Sequence, residues 1–149
     1  IEYTIPGTNG SAADVSLVWT NKTATGLPES MWMSFVPEAT EGKGVAWAMD
    51  VLGHPVDPMD VVPGGPRHLH AVNEGVELNA GGGRSFRVET LDSPIVCPGD
   101  ANHLLRCVDD QPDAVRGGMH FVLQSNIWPT AFPRYYGYDG LARFRLHMG

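Results

Sequence analysis

The hydrophobic pattern changes period along the chain in a way that favours strands throughout. From Asp14 to Trp19, Val15, Leu17 and Trp19 alternate with polar or smaller residues. The same period of two recurs at Val45, Trp47, Met49 and Val51, at Phe86, Val88 and Thr90, and at Phe144, Leu146 and Met148 opposite Arg143, Arg145 and His147. Such alternation puts one face on a core and the other in water. Two runs are apolar on both faces: 29–36, stopped by Pro37, and His120 to Leu123. The first reads as a central strand covered on both sides, since buried strands lose their alternation; period alone leaves a short buried helix as the alternative.

Between these runs lie turn signals. His54 to Pro66 holds four prolines and two glycines and reads as loop. Arg67 to Val72 and Gly75 to Leu78 can pair as a hairpin across Asn73-Glu74-Gly75, Gly81-Gly82-Gly83 is a further turn, Ile95-Val96 a short strand, and Asp100 can cap one helical turn. No helical period of ten residues is present. The pattern predicts one domain over 1–149, an all-β antiparallel sandwich of about nine or ten short strands. Its core is expected at Val15, Leu17, Trp19, Met31, Met33, Phe35, Trp47, Phe86, Val88, Phe121, Leu123, Phe144 and Leu146.

Composition narrows the partners. A net charge of −7, with two lysines and eight scattered arginines, argues against a phosphate-tracking surface and so against nucleic acid. No apolar run is long enough to span a bilayer. The chain starts at Ile1 without a leader and reads as a processed product or a fragment. The sequons Asn9-Gly10-Ser11 and Asn21-Lys22-Thr23 point to a secreted glycoprotein. Cys97 and Cys107 either stay as buried thiols or close a short disulfide loop, the latter if the chain is secreted.

Two constellations carry candidate chemistry. The segment 126–139 concentrates Trp128, Phe132, Tyr135, Tyr136 and Tyr138 between Pro129, Pro133 and Gly137. It either caps the core or presents a surface. As a surface it would stack rings on the apolar face of a sugar, with Asn126, Arg134 and Asp139 bonding its hydroxyls. The second is His68-Leu69-His70 with Glu74, which on a sandwich resembles the first metal motif of the cupins. It implies a small metal-dependent enzyme with ligands His68, His70 and Glu74, joined by His120. The second half of the cupin motif is absent, and without that alternative no cofactor is expected. Glycine-rich phosphate loops and nucleophile elbows are also absent.

Two long stretches resemble a known family. Trp19-Thr20-Asn21-Lys22-Thr23-Ala24-Thr25-Gly26-Leu27-Pro28-Glu29-Ser30-Met31-Trp32-Met33-Ser34-Phe35 is the first. The second is Asn126-Ile127-Trp128-Pro129-Thr130-Ala131-Phe132-Pro133-Arg134-Tyr135-Tyr136, followed by Arg143-Phe144-Arg145-Leu146. Both resemble segments of uncharacterised proteins related to family 38 glycoside hydrolases, the α-mannosidase relatives. Ala131 and Tyr135 stand where that family has asparagine and tryptophan. The resemblance implies a C-terminal β-sandwich, whereas the family's catalytic aspartate and metal ligands belong to an α/β domain that precedes it. The expectation is therefore an accessory, non-catalytic sandwich whose partner is carbohydrate or the rest of a larger protein.

Overall fold

A computed structural model describes residues 2–4, 12–38, 45–99, 115, 117–126 and 137–149. These form eleven strands, and among the described residues there is no helix. The strands are β1 (Glu2–Thr4), β2 (Ala12–Trp19), β3 (Ser30–Phe35), β4 (Ala46–Val51), β5 (His54–Val56), β6 (His70–Ala71), β7 (Gly75–Gly81), β8 (Arg84–Thr90), β9 (Ile95–Pro98), β10 (Met119–Ser125) and β11 (Gly140–Met148). Seven of them form one sheet in the order β1-β2-β11-β8-β7-β4-β5, and four form a second in the order β3-β10-β9-β6. Every pairing is antiparallel.

The alternation of the sequence explains why the two sheets meet face to face. On β11, Ala142 and Phe144 are buried while Leu141, Arg143 and Arg145 are exposed. On β2, Val15 and Trp19 go inward and Asp14 outward. Phe144 of the larger sheet lies 5.2 Å from Phe35 and 5.3 Å from Phe121 of the smaller one, ring centroid to ring centroid, all edge-on. Tilted aromatic contacts of this kind add to the burial that holds the layers together. Val76, Leu78, Val88, Val96 and Met119 complete the centre, with Leu17, Met31, Met33, Phe86, Leu123 and Leu146 packed around it.

Three expected elements come out differently. The strand over 30–35 is an edge strand of the smaller sheet, not a central one. Its apolar outer face belongs to Trp32, whose indole N–H turns back to the Ser30 hydroxyl. Arg67 to Val72 does not form a hairpin with Gly75 to Leu78. Only His70–Ala71 is strand, paired with β9, while β7 lies between β4 and β8 in the other sheet. The chain changes sheets at this corner, where Val72 N–H donates to Pro94 O and Asn73 N–H to Asp50 O. Finally, 54–56 is not loop: Leu52 (φ 54°) and Gly53 (φ 83°) make a two-residue turn of the type that suits hairpin twist, returning His54–Val56 onto β4. Pro55 is tolerated there because β5 is an edge. The helical turn expected from Asp100 lies outside the described residues.

Candidate functional site

The 20–29 connection, Asn126 and Gly137 to Asp139 meet at one end of the sandwich. There β2 passes to β3 through 20–29, while β10 ends at Ser125 and β11 begins at Gly140. Asn126 fastens the first side of this junction. Its backbone N–H donates to Glu29 O at 3.0 Å and its Oδ1 accepts from Glu29 N–H at 2.7 Å. Its Nδ2 donates to Leu27 O at 2.9 Å and Thr25 O at 3.3 Å. Glu29 in turn pairs its carboxylate with the Lys22 ammonium.

Gly137 to Asp139 fasten the other side. Asp139 Oδ1 accepts from Asn21 N–H at 2.6 Å, with Asn21 at a φ of 55°, a left-handed turn that asparagine tolerates. Gly137 lies so close to Lys22 and Ala24 that a Cβ would stand 2.7 Å from Lys22 O. Only glycine fits there. Tyr138 packs its ring on Trp19 at 6.3 Å, tilted by 60°, and remains 41% exposed. Trp19 itself is buried and lies against Gly140.

Of the expected sugar-binding residues, the structure therefore brings Asn126, Tyr138 and Asp139 to the same junction. Trp128, Phe132, Arg134, Tyr135 and Tyr136 lie outside the described residues. Asn126 has spent its amide on the 25–29 backbone and has little left for a hydroxyl. Asp139 Oδ2 has no partner among the described residues, and Tyr138 offers a held, exposed ring. Asn21 is an exposed residue of the 20–29 connection, whereas Asn9 lies outside the described residues.

His68, His70 and Glu74 are not brought together as a metal centre. Among the described residues no three histidine, cysteine, aspartate or glutamate side chains converge. With only His70–Ala71 in strand, the alternation that would align both imidazoles is lost. His70 Nε2 lies 3.1 Å from Arg67 O, and the Glu74 carboxylate is taken by Arg87 at 2.5 Å. Burial, opposed by the Arg67 carbonyl and aided by His68, holds the His70 pKa below its usual value.

His120 sits elsewhere, fully buried on β10 between core residues Met119 and Phe121. Gly99 O can only accept, so Nε2, at 2.9 Å, donates to it, while Nδ1 lies 2.8 Å from the Ser34 hydroxyl. Both nitrogens are engaged in holding β3 and the end of β9 to β10. The sequence hinted at this role only by placing a histidine inside an unbroken apolar run.

Cys97, across from His120 on β9, is a free thiol and 2% exposed. Burial raises its pKa to about 11. The disulfide expected of it is thus not seen on Cys97, and Cys107 lies outside the described residues.

The outer face of the larger sheet carries a second feature that the sequence did not announce. A basin of about 260 Å³ is lined by Ala48, Asp50, Gly53, Pro55, Glu77 and Arg87, among others. Small residues at 48 and 53 open it, and cross-strand pairing puts Glu77 beside both Ala48 and Arg87. Among the described residues no aromatic ring lines it, so these offer a sugar charged groups but no stacking face. No protein-family model, curated protein or solved structure matches this chain.

Proposed function

We propose that this chain is a non-catalytic, accessory β-sandwich of a carbohydrate-active protein, and that it binds glycan at the end where Tyr138 is displayed. One observation carries the reading: Tyr138 is exposed yet held on Trp19, beside Asp139, whose Oδ2 has no partner among the described residues, on a backbone clamped by the 20–29 connection. A ring presented without the entropy cost of ordering a mobile side chain is what sugar stacking asks for. The five further candidates, Trp128, Phe132, Arg134, Tyr135 and Tyr136, belong to the same segment by sequence. The resemblance to relatives of family 38 glycoside hydrolases points to the same class of partner, carbohydrate or the remainder of a glycosidase-like protein.

A glycan array with the 149-residue chain tests it. Binding should fall at least tenfold in Tyr138→Ala, with the far-ultraviolet circular dichroism unchanged; Trp128→Ala should act in the same direction. No binding to any glycan, or full binding by both variants, would overturn the reading. The chain should also leave aryl glycosides intact. Turnover abolished by a single Asp→Asn substitution would replace an accessory role with a catalytic one.

A further inference from the structure

We propose that two copies of this chain join edge to edge through β3, antiparallel, about a two-fold axis at Trp32. A sheet edge presents unpaired backbone groups, and proteins ordinarily blunt it with shortness, charge or proline. Among the described residues the two sheets have four edges, and three of them are blunted. β1 and β5 have three residues each, β5 contains Pro55, and β6 has two. The fourth, β3, has six residues with neither charge nor proline, and among the described residues it has a neighbour only on the β10 side.

Self-pairing of β3 is written into its residues. Ser30-Met31-Trp32-Met33-Ser34 reads the same in both directions. A two-fold interface is self-complementary, so residue i meets j and j meets i. With Trp32 on the axis, Met31 faces the partner's Met33, Ser30 faces the partner's Ser34, and Trp32 meets the partner's Trp32. Within Ser30–Ser34 every cross-strand pair then joins like with like; beyond them Phe35 comes opposite the partner's Glu29. Met31 and Met33 pack on the core, so their pairing extends the apolar layer from one sandwich into the next. The two indoles meet on the opposite face, each already steadied by its Ser30 hydroxyl. Aromatic pairs directly opposite one another are among the more stabilising cross-strand contacts. The same register carries Val36, 56% exposed, to the partner's Pro28 at either end of the ladder.

Sedimentation equilibrium of the 149-residue chain at tens of micromolar should give twice the 16.1 kDa chain mass. Trp32→Glu and Trp32→Lys should each halve that mass, because like charges then lie directly opposite. Mixed in equal amounts, the two variants should regain the dimer. A monomeric wild type, a dimeric single variant, or folded variants that stay monomeric when mixed would each overturn the proposal. If the charged variants do not fold, the register is read by oxidation in a Cys107→Ser background. Ser30→Cys with Ser34→Cys should give covalent dimers and either change alone should not; equal cross-linking by the single changes, or none by the pair, would overturn it.

Discussion

Asn126 and Glu29 grip each other twice: the Asn126 backbone N–H donates to Glu29 O, and the Glu29 N–H donates to Asn126 Oδ1. The side-chain amide thus continues the β3–β10 ladder by one rung beyond Ser125, mimicking a backbone peptide. Its Nδ2 closes the preceding turn on Leu27 and Thr25. Asn126→Ala removes all three side-chain bonds and should cost about 2–3 kcal/mol, at roughly 1 kcal/mol per neutral hydrogen bond. A denaturant midpoint unchanged within error would show that the 25–29 connection does not depend on this residue.

Most of the architecture was legible because period two survives wherever one face meets water. Asp14 to Trp19, 46–51, Ser85 to Thr90 and Arg143 to Met148 all became strands, with Val15, Trp19, Trp47, Met49, Val88 and Phe144 inward as expected, while Met148 at the end of β11 is exposed. Neighbours were not legible, since alternation reports which face is buried but not which strand lies alongside. Hence β3, apolar on both faces, looked central although it is an edge, and His70–Ala71 looked like half a hairpin although it belongs to the other sheet. Candidate site residues were legible as types. The pairing of 20–29 with Asn126 and Asp139 spans about a hundred residues of sequence and rests on backbone partners, which leave no mark in composition.

Asp92 accepts both a bidentate guanidinium and the backbone N–H of Arg143, each at 2.9 Å. The hydrogen bonds from that side chain hold the Asp92 pKa below its usual value, opposed by partial burial. A depressed carboxylate stabilises the fold fully above the unfolded pKa of about 3.9, and this contribution is lost as pH falls through the lower folded value. The melting temperature of Asp92→Asn should therefore lie below that of wild type at neutral pH and converge with it in strong acid. A constant difference between pH 7 and pH 2 would exclude this linkage.

For Cys97, a pKa of about 11 leaves almost no thiolate at neutral pH, and burial blocks approach as well. In a Cys107→Ser background the native protein should not react with a disulfide reagent at pH 7.5 and should release one equivalent on unfolding. Wild type analysed without reductant should keep both thiols. A mass two hydrogens lighter, with a peptide linking Cys97 to Cys107, would restore the disulfide instead.

The disposition of His70 predicts a metal result and a pH result together. Purified protein dialysed against zinc should retain no stoichiometric metal that His70→Ala removes, since Glu74 is committed to Arg87. Because burial lowers the His70 pKa, the unfolded chain takes up the proton first as pH falls through about 6.5. His70 therefore costs stability progressively from there down to its lowered folded pKa, and His70→Gln should flatten that slope. Zinc retained by wild type and lost from His70→Ala would revive the cupin-like alternative.

Gln124 supplies the last test, one of the core rather than the site. A bulge between Val122 and Gln124 leaves Val122 opposite Trp32 but sets Gln124 opposite Met31, on the side that packs inward. The amide is consequently buried, 5% exposed, and neither its oxygen nor its nitrogen has a partner among the described residues. A buried amide without hydrogen bonds costs about 1–3 kcal/mol. Methionine has nearly the same shape and no such requirement, so Gln124→Met should stabilise the chain by about 1 kcal/mol, read as a higher denaturant midpoint at constant slope. Should the variant instead lose stability, the amide must be satisfied in solution, and the bulge would then position a polar group rather than tolerate one.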